Sequence, residues 1–357
     1  MKSRTVYWEG PRKLIQPSPG FAKKELSDYH LDLMAKCEFE CTYCSSNMGN
    51  QLRVNRPRII TTTQNQLGVV MIPGRDRGFN IQYRDVLENL DRQLYNKDKS
   101  YGDGQTIVFS MLTDGFSPSL VQQRITQKAL ETLLERTSFR IRVLTKYAGV
   151  GNSKWIDFFG QYPDRFVVGL SIGTLDNDWA REVEIGTSPS TKRAEATRAL
   201  QDAGVPTYGM LCPVLPTQYA RLPLLQELVD AIRPEYCETV WAEPYNDRLN
   251  WKHVRDGFEQ GSDDWRTINE MFSPDGKLPR NRRKLWSNYA TDLLLDLRNI
   301  AREEGWSDKL KFLLYERDIK EEDAARIGNL EGVLLQQTNK QGESVNPHFV
   351  EMQKLAA

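Results

Sequence analysis

"LMAKCEFECTYCSSN", residues 33–47, carries three of the chain's five cysteines, Cys37, Cys41 and Cys44, in the spacing C-x3-C-x2-C. The other two, Cys212 and Cys237, lie far downstream. Five cysteines among 357 residues do not make a disulfide scaffold, and an odd number cannot pair completely. The N-terminal "MKSRTVYWEGPRKLIQPSPG" has no apolar signal core and reads as an exposed extension. A reducing, cytoplasmic setting is therefore expected, and metal binding becomes the main functional use of the crowded thiols. Structural zinc takes four protein ligands, usually as two separated pairs. Here no second pair follows, and the nearby His30 falls inside a predicted strand. A cubane 4Fe–4S cluster needs a ligand at each of four irons. Three thiolates from one tight loop hold three corners and leave the fourth open to a small molecule. A structural zinc loop and three unrelated buried thiols are the other readings of the same residues.

Outward from this loop, short apolar runs alternate with amphipathic stretches. "YHLDLMA" (29–35), "TIVFSML" (106–112), "FRIRVLTK" (139–146), "FVVGLSI" (166–172), "TYGMLCPV" (207–214) and "TVWAEPY" (239–245) read as buried strands. Between them, "YRDVLENLDRQLYN" (83–96) and "SPSLVQQRITQKALETLLER" (117–136) repeat apolar residues at three and four. "SPSTKRAEATRALQDAG" (188–204) opens on capping residues and stops at Gly204; "LPLLQELVDAIRP" (222–234) stops at Pro234. This order implies parallel pairing with right-handed crossovers. Residues 45–82 read as a long connection with little helical signal, a length that is unusual unless functional. After about residue 250 the pattern turns mostly helical, with one strand-like run, "LKFLLYE" (310–316), and a polar tail.

The expected architecture is α/β: a partial (βα)6 TIM-like barrel over 29–250, an N-terminal extension over 1–28 and a mostly helical C-terminal appendage over 251–357. A hydrophobic share of 39% and a charged share of 27% fit a globular chain, and no apolar run is long enough to predict a membrane span. With 48 basic and 48 acidic residues, any contact with a polyanion must be a local patch.

The cysteine spacing, with Tyr43 just before the last cysteine and a strand ahead of the first, resembles the radical S-adenosylmethionine superfamily. Four further landmarks resemble its spore photoproduct lyase-like branch: "SMLTDGF" (110–116), "VLTKY" (143–147), "LSIGT" (170–174) followed by "VEIGTSPSTKRAEATRALQDAG", and "MLCPVLPT" (210–217). The resemblance implies a 4Fe–4S cluster on Cys37, Cys41 and Cys44 and S-adenosylmethionine on the open iron. It also implies reductive cleavage to methionine and a 5′-deoxyadenosyl radical that abstracts hydrogen from a substrate, with electrons from an external flavodoxin- or ferredoxin-type reductant. Tyr43, Thr113, Lys146, Ser171 and the backbone around Cys212 are implied to line the cofactor site. Physical chemistry supports each: Lys146 offers a positive donor to a carboxylate, Thr113 and Ser171 offer hydroxyls, and Tyr43 offers an aromatic face. Spore photoproduct lyases carry a hydrogen-donating cysteine where this sequence has Met111, and methionine has no comparable S–H. Cys212 is the other thiol expected at a strand's mouth end and the alternative donor; a lone strand cysteine is more commonly a small buried hydrophobe. Cys237 reads as structural.

On the substrate side, Asp114 and Glu243 end predicted strands, and Tyr245 and Trp251 follow Glu243 closely. Carboxylates and aromatics at such a mouth suit a base or a peptide side chain; equally, Glu243 pairs with a scaffold arginine and the aromatics are core. "RVNRPR" (53–58) and "KLPRNRRKLW" (277–286) concentrate cations that suit phosphates or a solvated helix start. By resemblance, a nucleobase, free or in DNA or RNA, is the first-choice substrate. Two rival classes use the same thiols: a zinc-binding recruitment module, and an iron–sulfur redox sensor that never cleaves S-adenosylmethionine.

Overall fold

Strands rich in Val, Ile and Phe alternate with amphipathic helices, and the computed structural model arranges them as a mixed α/β fold with a large, mainly parallel sheet. It describes residues 3–46, 50–219, 223–247, 249–273, 279–339 and 341–356, without the side chains of 50–52, 279–283, 355 and 356. Two compact units divide the chain. The first takes the described residues up to Leu170 with Asp176–Pro206 and Asp247–Gly257; the second takes Ser171–Leu175, Thr207–Asn246 and those from Phe258 onward.

In the first unit the strands are β1 (Arg4–Trp8), β2 (Ile15–Pro17), β3 (Tyr29–Leu31), β4 (Met34–Lys36), β5 (Phe79–Tyr83), β6 (Thr106–Phe109), β7 (Arg140–Thr145) and β8 (Phe166–Leu170). β3, β6, β7 and β8 pair in parallel in that order, and β2 joins β3 antiparallel. All five residues of β8 are buried, as expected for a parallel strand covered on both faces. A small separate sheet has the order β1-β5-β4. The run expected as one strand over 29–35 is therefore two strands in two sheets. The break falls at Asp32, whose carboxylate accepts from the backbone N–H groups of Leu112 and Thr113 at 2.9 and 3.0 Å. The helix pattern over 117–136 also divides, into Pro118–Gln122 and Ile125–Arg136, at Arg124 with φ 60°.

Two expectations fail here. The N-terminal extension is not simply exposed: β1 pairs along its length with β5, and Val6 and Trp8 are buried. The long connection over 45–82 contains a helix, Asn50–Leu67, and β5. Its β-branched run "IITTT" and internal Pro57 give weak helix propensity, so the helix rests on packing. Ile59 and Leu67 join an apolar cluster with Val6, Trp8, Met71, Phe79 and Ile81. The Gln66 side-chain amide meanwhile exchanges two hydrogen bonds with the backbone of Tyr7, at 2.9 and 2.8 Å, and so closes the edge of β1.

In the second unit, β9 (Thr207–Val214), β10 (Cys237–Pro244), β11 (Leu310–Tyr315) and β12 (Val333–Gln336) pair in parallel in chain order. β11 follows the expected run, but β12 lies in what reads as a polar tail. The helix Leu224–Ile232 buries Leu225, Leu228, Val229 and Ile232 at helical spacing and ends where Arg233 turns left-handed before Pro234. No described helix is long and apolar enough to cross a membrane.

Candidate functional site: a cysteine loop against a buried charge network

β4 delivers the chain into the cysteine loop, and three carboxylate contacts fix the loop's path. Lys36, itself buried, reaches Glu40 at 3.0 Å and the Phe79 carbonyl at 2.7 Å. Glu38 accepts from the Ser117 hydroxyl and the Ser119 N–H, both at 2.8 Å, at the start of the helix Pro118–Gln122. Glu40 takes a positive φ of 50° and accepts from the Gly78 N–H at 3.1 Å. From the other side, Thr42 donates its N–H to Val183 at 2.8 Å, and Gly186 donates to Phe39 at 2.9 Å. Gly186 is required there: a Cβ would meet the Glu38 carbonyl at 2.5 Å and the Phe39 Cα at 3.0 Å. Cys37 and Cys41 are buried, Cys44 is half-buried, and none of the five cysteines forms a disulfide.

Beside the loop sits a charge network that the sequence reading did not single out. Glu184 is paired with the Lys146 ammonium at 2.9 Å, with the fully buried Arg193 guanidinium, and with the Tyr43 hydroxyl that donates to it. Burial alone pushes the Glu184 carboxyl up, but Arg193, Lys146 and Tyr43 together hold it down at about 2. Burial pushes the Tyr43 phenol well above its ordinary range, and the Glu184 charge adds to this. The Lys146 ammonium also lies 5.6 Å from the centre of the Tyr43 ring. Burial raises the Cys41 thiol well above its usual range, Glu184 reinforces that, and Lys146 opposes it. The signal for Glu184 was present in "VEIGTSPSTKR", where an acid and a base nine residues apart bracket a helix start. Only the fold brings them to the cysteine loop.

The other first-unit residues expected at the site are positioned by hydrogen bonds. Asp114 accepts from the N–H groups of Phe116 and Lys146, each at 2.8 Å, and from the Thr145 hydroxyl at 2.8 Å. Burial lifts its carboxyl above the usual range, and those donors pull it partly back. Asp114 thus fixes the turn that presents Lys146. The Thr113 hydroxyl donates to Asp32 at 3.1 Å, and the Met111 sulfur accepts from the Ser18 hydroxyl at 3.1 Å.

The second unit gathers the remaining candidates into their own group. Ser171 donates to the Cys212 carbonyl at 2.5 Å, the Cys212 thiol lies 3.4 Å from Glu243, and Tyr315 donates to Glu243. Tyr245 is buried; its N–H donates to the Tyr289 hydroxyl at 2.9 Å, and its carbonyl accepts from Trp286 at 2.9 Å. Cys237 is buried, with its thiol 3.5 Å from the Ile232 carbonyl. Of the basic stretches, Arg58 packs on Trp8 at 4.2 Å, while Lys277 and Leu278 lie outside the described residues. Lys284 pairs with Glu322 at 3.0 Å.

Among the described residues, no three Cys, His, Asp or Glu side chains are placed to hold a single metal ion. A cluster asks for a different donor set, one separate thiolate per iron, and three thiols on one pinned loop fit that chemistry.

No family model matches the sequence. The chain is similar to solved structures of spore photoproduct lyase and of anSMEcpe. A double mutant of spore photoproduct lyase with bound AdoMet and dinucleoside spore photoproduct shows 15% identity and a TM-score of 0.44, over 75% of this chain and 79% of that one. Native anSMEcpe with bound AdoMet shows 14% identity and a TM-score of 0.42, over 76% of this chain and 60% of that one. By sequence, the chain is similar to "Uncharacterized protein ORF301" of Acidianus two-tailed virus, 23% identical over 221 residues. The match covers 61% of this chain and spans 66% of that relative's length.

Proposed function

We propose that this protein is a radical S-adenosylmethionine enzyme. The observation that carries the reading is the pinned loop that bears Cys37, Cys41 and Cys44 beside a buried glutamate paired with a half-buried lysine and tyrosine. When bound, a 4Fe–4S cluster with S-adenosylmethionine supplies a 5′-deoxyadenosyl radical that abstracts hydrogen. The chain's own part is to hold and shield. Cys37, Cys41 and Cys44 serve as the three thiolate ligands, and burial of the first two keeps water from the metal. Lys146, fixed by Glu184 and by the Asp114 turn, would offer a positive charge to the cofactor's carboxylate, and Tyr43, whose ring lies beside it, would offer an aromatic face. Thr113 supplies a hydroxyl on the same unit.

A nucleobase is the substrate class favoured by the sequence resemblance, and an external one-electron reductant is required. Asp114 acts as a positioning residue, because its carboxylate is spent on backbone and Thr145 donors. Cys212, within reach of Glu243, is the candidate thiol donor in place of Met111.

Anaerobic reconstitution tests the reading. The expected result is a brown protein with about four irons per chain that forms 5′-deoxyadenosine with dithionite and S-adenosylmethionine, and loses this on Cys41→Ala. Colourless protein holding tight zinc, or a fully loaded cluster that forms no 5′-deoxyadenosine, refutes it.

A further inference from the structure

Within the first unit, β1, β3 and β5 border a cavity of about 270 Å³ whose lining includes Trp8, His30, Asp32, Arg58 and Tyr83. Asp32 is only 8% exposed. Its Oδ1 accepts three hydrogen bonds, from the Leu112 and Thr113 N–H groups and the Thr113 hydroxyl, at 2.9, 3.0 and 3.1 Å. Its Oδ2 is buried and makes none, and neither does the buried Nδ1 of His30, two residues earlier on the same face. Both residues line the cavity, and buried polar atoms without partners are costly unless something meets them.

A positive pole balances them. The Arg58 guanidinium lies 4.2 Å over the Trp8 ring and donates to the Glu9 carbonyl at 3.2 Å, holding a fixed orientation at the cavity. Tyr83 lies within range of both poles: burial lifts its phenol to about 12, the Asp32 charge adds to that, and Arg58 opposes it. Burial also lowers the proton affinity of His30, with Asp32 opposing, so its imidazole serves as a neutral partner.

We propose that this cavity binds a free α-amino acid. Its ammonium meets Asp32 Oδ2 and His30 Nδ1, its carboxylate meets Arg58, and Trp8 and Tyr83 form the wall for the remainder. A lone anion would face the Asp32 carboxylate, and a lone amine would leave Arg58 unmatched. The volume suits a ligand of this size better than a nucleotide. Thr113, given above to the cofactor site, also lines this cavity, so the inference borders on the proposed function, but the binding itself needs no cluster.

Isothermal titration of the full chain with each common L-amino acid tests this, alongside the matched amine lacking the carboxylate, the matched acid lacking the ammonium, and nucleoside 5′-monophosphates. At least one amino acid should bind, with both truncated analogues weaker by roughly tenfold or more. Arg58→Gln should weaken the amino acid about tenfold while leaving the amine unchanged, and Asp32→Asn should weaken both. Arg58 is exposed, so its variant decides the matter even if Asp32→Asn fails to fold. No amino-acid binding by protein with a cooperative melt, affinity untouched by Arg58→Gln, or tighter binding of a nucleotide overturns the proposal. A failure of 5′-deoxyadenosine formation leaves this binding result unaffected, so the two readings fall separately.

Discussion

Glu184 joins three partners that the sequence keeps apart: Tyr43 on the cysteine loop, Lys146 after β7 and Arg193 on a later helix. Its carboxyl is held at about 2, below its ordinary 4.5, so the sign of the linkage is fixed. The stabilisation is present above the ordinary value and is lost as pH falls from about 4.5 toward about 2. Glu184→Gln should flatten that acid limb in a series of urea melts. It should also cost about 3–5 kcal/mol near neutral pH, because it strands the buried Arg193 without its counter-charge. A variant whose stability falls with acid as steeply as the parent's would show that Glu184 is not the group responsible. The sequence reading named Lys146 and Tyr43 but not the acid between them. A carboxylate in a mixed polar stretch has no signature until its partners are placed.

Among the elements, the cysteine loop depends on its neighbours' backbone as much as on its own residues. Gly186→Ala places a methyl against the Glu38 carbonyl and the Phe39 Cα, neither of which is a flexible side-chain end. Iron content after reconstitution should fall several-fold, with a cooperative melt retained; unchanged iron loading would contradict this account of the loop. The C-x3-C-x2-C spacing was legible because it is local. The helix Asn50–Leu67 was not, because "IITTT" and Pro57 speak against it and only contacts with β1 and β5 compensate. The single strand expected over 29–35 was misread for a related reason. Alternation continues through Asp32, but that carboxylate is claimed by the N–H groups of Leu112 and Thr113, far along the chain.

At the scale of the molecule, the second unit extends its parallel run through β11, where a strand-like run is expected, and through β12, in what reads as a polar tail. Phe312, fully buried in β11, aligns with Ala242 of β10 and Val333 of β12. Phe312→Ala should therefore cost about 3–5 kcal/mol in urea unfolding, and a loss below about 1 kcal/mol would mean that β11 is peripheral. By itself the sequence determined the α/β class, most of the strands and the three-thiol loop. Those features are written in local periodicity and spacing, which need no knowledge of distant residues. The tertiary structure alone decided that the N-terminal strand is folded in and that Glu184 meets Lys146. It also left Asp32 and His30, which both line one cavity, with partnerless atoms. Burial and charge pairing depend on which remote segments pack together, and only the packed chain sets that.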